Sequence, residues 1–354
     1  MSSLFDPMTI RDVTFSNRIW VSPMCQYSAI DGVATQWHDV HIGSFATGGT
    51  GLIMMEATGV VPEGRISTAC LGLWNDAQTE RLKPIVDFAH SMSTKIGIQL
   101  AHAGRKASCL PPWSDHPMAS KEEGGWDCVA PSAISFGGKY PVPKALTKEE
   151  IQELITAFAN SAKRAVSAGF DLVEIHAAHG YLIHQFLSPI SNEREDEYGG
   201  SFENRTRFIL EIARAVRSAI PNGMPLFVRI SASDWLEDGW TIDESVELCR
   251  LLKDVGVDLI DVSSGGTSSG APVPVGPGYQ VPFATRIRNE AKLPTCAVGL
   301  ITESKQADQI VKNGEADAVM MAREFLRNPR WPLQAAKELN ADVNWPNQLI
   351  RGKG

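Results

Sequence analysis

No run of apolar residues in this 354-residue chain approaches the roughly 20 that a membrane-spanning helix needs. Basic residues are outnumbered. Thirty-three Lys and Arg against 41 Asp and Glu leave a net charge of −8, which argues against a nucleic acid or an anionic membrane as partner. Cysteine is sparse and dispersed: the six residues Cys25, Cys70, Cys109, Cys128, Cys249 and Cys296 include no Cys-x-x-Cys pair. Neither a disulfide framework nor a zinc or iron–sulfur site is therefore expected. A Gly-x-Gly-x-x-Gly that follows a strand and opens a helix is missing too. Gly48-Gly-Thr-Gly51 precedes its apolar run, so no Rossmann unit for a tightly held dinucleotide is expected. The first 15 residues hold no apolar stretch of signal-peptide length. These absences predict a cytoplasmic protein with no metal, membrane or nucleic-acid partner.

What is present is a rhythm. Hydrophobic residues make up 43% and charged residues 21% of the chain, the balance of a globular protein with a large core. Short apolar, β-rich runs at 17–23, 51–59, 95–101, 171–176, 225–231, 258–263, 295–298 and 316–321 alternate with helix-like stretches. The helical pattern covers 77–93, 147–168, 201–219, 242–255, 304–313 and 329–339, and Thr147-Lys-Glu-Glu150 reads as a capping box. Near-continuous apolar strands separated by helices predict a parallel sheet covered on both faces. Eight such units favour the α/β class and a single (β/α)8 TIM barrel spanning 1–354, entered through an N-terminal hairpin. An open doubly wound sheet is the alternative. Two stretches break the rhythm. Residues 107–144, rich in Pro, Gly, Ser and Trp, follow the third run and are expected to cap a site, since ordered loops of that length are uncommon otherwise. Residues 193–200 form a polar loop after the fourth.

In a barrel, chemistry sits on the loops that leave the C-terminal ends of the strands. Polar residues cluster there. The first run ends in Pro23-Met-Cys-Gln-Tyr27, the second in Met55-Glu-Ala57, and the third in Gln99-Leu-Ala-His102. The fourth ends in His176-Ala-Ala-His179-Gly-Tyr181, the fifth in Arg229-Ile-Ser231, and the sixth in Ser263-Ser-Gly-Gly266. Gly299-Leu300 and Ala322-Arg323 close the seventh and eighth. The last two loops commonly bind phosphate in this fold, and Gly299 with Arg323 suits that use. A turn glycine and a surface ion pair are the plainer alternative. Two imidazoles three residues apart, His176 and His179, converge only if the backbone coils at the strand end, and Gly180 stands where that bend belongs. Three readings fit them: an oxyanion site with Tyr181 as proton donor, a metal pair, or hydrogen-bonded core histidines. Arg229 ends a buried run and needs an anion, either a bound ligand or a buried carboxylate.

Together these motifs resemble the Old Yellow Enzyme family. The resemblance rests on Pro23-Met-Cys-Gln-Tyr27, His102-Ala-Gly-Arg-Lys106, His176-Ala-Ala-His-Gly-Tyr181, Tyr198-Gly-Gly-Ser-Phe-Glu-Asn-Arg205 and Arg323-Glu-Phe-Leu-Arg-Asn-Pro329. It runs from Leu4 almost to the C-terminus, and the Cys25 and Tyr27 pair is similar to the thermophilic-like bacterial branch with its xenobiotic reductases. The resemblance implies an NADPH dehydrogenase and ene-reductase: an FMN flavoprotein, reduced by NADPH or NADH, that reduces C=C bonds of enones, enals and maleimides. Pro23, Met24, Cys25 and Ala57 would line the flavin, Gln99 and Arg229 would meet its pyrimidine edge, and Gly299, Leu300, Ala322 and Arg323 would hold its phosphate. Tyr27, His176 and His179 would bind the substrate carbonyl, and Tyr181 would protonate Cα. The tail 340–354 is similar as well. In this branch a terminal arginine enters a neighbouring subunit's site, which implies a homodimer or homotetramer with Arg351 in the substrate pocket. Leu349 or Ile350 stands where an aromatic residue usually precedes it. Two rival functions remain at this point, a metal-dependent barrel hydrolase or lyase using His176 and His179, and a non-catalytic flavin-binding protein.

Overall fold

Runs that are apolar on both faces can only be satisfied by cover on both sides, and the chain supplies it. The computed structural model describes residues 3–353. Eight parallel strands, β1 (Ile19–Val21), β2 (Leu52–Gly59), β3 (Lys95–Ala101), β4 (Leu172–Ala177), β5 (Leu226–Ser231), β6 (Leu259–Ser263), β7 (Thr295–Ala297) and β8 (Ala318–Met321), close into a barrel in sequence order. β8 completes the ring by pairing Met320 with Trp20 of β1. All eight residues of β2 are buried. The expected (β/α)8 barrel is the fold, and the open sheet is excluded by that closure.

Alternation sends one set of strand side chains outward beneath the helices and the other set into the barrel. The lower interior is filled by Trp20, Met54, Leu172, Phe227 and Met320, with Trp20 stacked on Phe227 at 5.9 Å. The N-terminal hairpin, Met8–Ile10 paired with Val13–Phe15, drives Phe15 against Trp20 from below at 4.9 Å. Each such large side chain contributes about 1.5–3 kcal/mol by leaving water. This plug closes the N-terminal end, so the opposite end is the one open to ligands.

The outer layer comprises α1 (Gln36–Ala46), α2 (Asp76–Ser91), α3 (Lys148–Ala168), α4 (Leu182–Leu187), α5 (Phe202–Ala219), α6 (Ile242–Asp254), α7 (Val281–Ala291), α8 (Ser304–Lys312), α9 (Arg323–Arg327) and α10 (Trp331–Glu338). The capping box at α3 forms as its sequence dictates. Thr147 Oγ1 accepts from Glu150 N–H at 3.2 Å, and Glu150 returns the bond to Thr147 N–H at 2.9 Å. Helices α1, α4, α7 and α9 were not among the expected helices. The six residues of α4 are all buried, so the segment has no polar face to betray a helical period. Helix α7 carries Pro282 in its first turn and follows a Gly- and Pro-rich stretch that reads as loop. Among the described residues no helix is long and apolar enough to cross a membrane.

The 107–144 segment contains one short parallel pair, Val129–Ala130 with Lys144–Ala145. The C-terminal segment takes the other direction. Asp342, Val343 and Asn344 share a groove with Phe5, Asn17, Gly49 and Thr94, residues at or before the starts of strands. This part of the tail thus lies at the closed end of its own barrel.

Candidate active site

The end of β4 is the most constrained part of the mouth. After His176 and Ala177 the backbone turns left-handed at His179 (φ +60°) and Gly180 (φ +71°). Two hydrogen bonds hold this turn: His179 N–H donates to Ser231 Oγ at 2.8 Å and Gly180 N–H donates to His184 Nδ1 at 2.8 Å, while His184 Nε2 stands 3.1 Å from Asp234 Oδ1. His184 and Asp234 are sealed from solvent. Residues i and i+3 of a straight strand face apart; the coiled ending instead brings the rings of His176 and His179 to 5.2 Å and those of His176 and Tyr181 to 5.1 Å. A Cβ at Gly180 would fall on the Gly266 carbonyl, at a φ that side chains rarely adopt. Gly180→Ala is therefore expected to destabilise the fold by about 1–3 kcal/mol and to disturb the paired rings. A chemical denaturation midpoint equal to wild type would contradict this.

Burial, followed by the Arg229 charge, pulls both His176 and His179 well below the usual histidine range. They are neutral imidazoles, each with one N–H to donate. Burial pushes the Tyr181 phenol well above its ordinary value, so it keeps its proton. His179 Nε2 lies 2.7 Å from Ser263 Oγ. His176 Nδ1 is buried and has no partner among the described residues, a polar atom left for something that binds.

Lys106 and Arg105, quoted above only as part of a motif, tie this corner together. Lys106 Nζ donates to the carbonyls of His179 (2.8 Å) and Gly266 (3.0 Å) and sits 5.0 Å from the centre of the Tyr181 ring. Burial brings its ammonium down to about 8. Arg105 donates to Ile134 O and Thr267 O, at 3.2 and 2.9 Å, which pins the 107–144 segment to the loop after β6. From that segment Trp113 meets Tyr27 edge to face at 5.7 Å. Tyr27 itself has φ +51°.

Across the mouth, Pro23, Met24 and Cys25 follow β1 and are half-buried. The register between β2 and β3 slips between Met55 and Ala57. This bulge turns Glu56 away to His38 Nε2, 3.2 Å distant, and sets Ala57 beside Gln99. Cys25, Glu56 and Cys70 come together with ligand atoms within 4.8 Å of one another. It is the only such three-residue cluster among the described residues, and neither His176 nor His179 belongs to it, so the metal-pair reading of those histidines loses its third ligand.

Of the two anions expected for Arg229, the structure supplies the buried carboxylate: its Nε lies 3.1 Å from Asp261 Oδ2, its register neighbour on β6. Gln99 is likewise engaged, donating through Nε2 to Glu174 Oε1 at 2.8 Å. Sequence reading missed both carboxylates because each lies within an apolar run.

Gly299 (φ +130°) and Leu300 (φ +48°) line one side of a cleft of about 160 Å³, with Ala322 and Arg323 on the other and Ser263, Tyr279 and Gln280 completing it. Arg327 is paired with Glu324 at 2.5 Å, whereas no carboxylate pairs with Arg323 among the described residues. An unpaired guanidinium beside a glycine-lined cleft suits a phosphate. Ser263, Tyr279 and Gln280 were absent from the sequence expectations. Arg351 is not brought to this mouth; it is exposed on the turn Asn347–Gly352.

A barrel of this kind, with a glycine-lined cleft and a free guanidinium after its last two strands, suits a phosphorylated ligand or cofactor. Comparison with known proteins makes the class specific. The NADH:flavin oxidoreductase / NADH oxidase family matches residues 3–342, and the chain belongs to that family. It is 51% identical to an NADPH dehydrogenase of a Geobacillus species over 99% of this chain and 98% of the relative. Among solved structures it resembles morphinone reductase in complex with tetrahydroNAD, with TM-score 0.80, 28% identity, and coverage of 98% of this chain and 93% of that one. An old yellow enzyme homologue from Zymomonas mobilis matches with TM-score 0.79, 29% identity, and coverage of 97% and 94%. The protein is an FMN oxidoreductase that uses NAD(P)H as reductant, which sets aside a purely flavin-binding role.

Proposed function

We propose that this enzyme reduces the C=C bond of α,β-unsaturated carbonyl compounds such as enones, enals and maleimides. The observation that carries the reading is the convergence of two neutral imidazoles and a protonated phenol at the end of β4. Bound FMN supplies the hydride chemistry, replenished by NADPH or NADH. The residues present fit it. Arg323, with Gly299, Leu300 and Ala322, offers the unpaired cation and close backbone approach that a phosphate needs. Arg229 and Gln99 would meet its pyrimidine edge, and Pro23, Met24, Cys25 and Ala57 would line its ring.

The rest is protein chemistry. His176 and His179 donate to the substrate carbonyl oxygen and stabilise the negative charge that develops there. Tyr27, met edge to face by Trp113, assists in holding that oxygen. Tyr181 gives its proton to Cα, and the Lys106 ammonium beside its ring stabilises the phenolate left behind. An oligomer in which Arg351 enters a neighbour's pocket, and a cytoplasmic setting, are part of the same proposal.

Replacing Arg323 with Ala removes the free cation of the phosphate cleft. The FMN dissociation constant is expected to rise about 10- to 150-fold, from the loss of a charged hydrogen bond worth about 1.5–3 kcal/mol. Quenching of flavin fluorescence on binding measures it, and an unchanged constant would remove the phosphate from this cleft. The substrate class is tested by product analysis: cyclohexenone is converted to cyclohexanone, and conversion to the allylic alcohol would overturn the proposal.

A further inference from the structure

One layer below the mouth, four polar side chains from four consecutive strands meet where apolar groups would otherwise pack. Gln99 on β3 is the register neighbour of Glu174 on β4, and Arg229 on β5 is that of Asp261 on β6. Both carboxyl groups are fully buried. The Gln99 amide binds one oxygen of Glu174, and Arg229 Nε approaches one oxygen of Asp261. These contacts leave much unsatisfied: Glu174 Oε2 and both Asp261 oxygens have no hydrogen-bond partner among the described residues. Below them lie Trp20, Met54, Leu172 and Met320, which offer no donor to the pair.

Two carboxylates against one guanidinium would leave an uncompensated charge in an apolar enclosure, and holding a proton is the cheaper state. Resting on the FMN reading above, we propose that Glu174 and Asp261 form a proton-holding acid pair that governs, through Arg229, how much positive charge the barrel presents to the cofactor. They are positioning residues, since they act through the guanidinium. With both groups ionised, two carboxylates outweigh Arg229; one proton on Glu174 leaves Asp261 alone against the guanidinium, which can then offset new negative charge at the mouth. Burial, then repulsion by Asp261, raises Glu174 to about 8, against the opposing pull of Arg229 and Gln99. Burial moves Asp261 the same way. The other titratable groups bearing on the pair are the Cys296 thiol on β7, kept protonated by burial, and the neutral His176 above it.

The proton balance is simple. Above about pH 8 Glu174 is a carboxylate; negative charge added to a bound cofactor near Arg229 by two-electron reduction would be answered by Glu174 taking one proton from solvent. No bond to the cofactor forms. Spectroelectrochemical titration of the FMN-loaded protein over a pH series should therefore show one additional proton per two electrons above about pH 8 compared with below it. In Glu174→Gln that change of slope disappears and the alkaline midpoint potential rises, because a carboxylate has been removed. The same slope in wild type and variant would overturn the proposal. Infrared spectroscopy of the full-length protein gives a second readout: a buried protonated carboxyl band at neutral pH, lost in Glu174→Gln and shifted in Asp261→Asn. Absence of that band also overturns it. Were FMN not taken up at all, the cofactor reading would fail and the infrared band would still decide the acid pair.

Discussion

Replacing Tyr181 with Phe is expected to slow oxidation of the reduced enzyme by cyclohexenone about 10²- to 10⁴-fold, the usual range for loss of a positioned general acid. Reduction of the enzyme by NADPH should stay within about twofold of wild type, since hydride transfer from a nicotinamide needs no proton from this residue. An enclosed phenol is held well above its ordinary pKa, so it enters the reaction protonated at any working pH. Once the proton has gone to Cα, the phenolate left behind needs a counter-charge, and Lys106 Nζ lies 5.0 Å from the ring centre. Stopped-flow measurement of the two half-reactions separates the possibilities. Equal slowing of both would mean that Tyr181 shapes the pocket and donates nothing.

The second large effect is expected at His176. Its Nδ1 is a buried polar atom with no partner, and its ring faces His179 and Tyr181. Removing it in His176→Ala takes away one of two donors for a developing oxyanion, which costs about 10²- to 10³-fold in the alkene half-reaction. Phenols, which mimic the polarised carbonyl as oxyanions, should also bind more weakly. Wild-type activity should show no limb from protonation of these rings near the ordinary histidine value. Their pKa values are depressed, so the neutral donor persists as pH falls and is lost only at still lower pH. Unchanged phenol affinity in the variant would count against the oxyanion site.

How much of this could be read from residue order follows from how barrels are built. A strand buried on both faces writes itself as a short apolar run, so all eight strands were visible, with ends displaced by a few residues. Barrel closure then converts order along the chain into neighbourhood at one mouth, which is why strand-end polar residues such as His176, Arg229 and Arg323 could be named. Lateral partners are another matter. Asp261 and Glu174 lie inside apolar runs, and whether either meets Arg229 depends on strand register, which one strand's sequence does not carry. The meeting of Cys25 with Cys70 and Glu56 depends on a bulge in β2, invisible in a cysteine count. Helix α4 escaped because an element buried all round shows no periodicity.

FMN bound at this mouth is expected to pass electrons to an activated alkene. Reduced, FMN-loaded protein mixed with cyclohexenone under nitrogen in a stopped-flow instrument tests it most directly. Rapid return of the oxidised flavin band, with one cyclohexanone formed per flavin, is the predicted result. Persistence of the reduced spectrum with the alkene unconsumed would contradict the account.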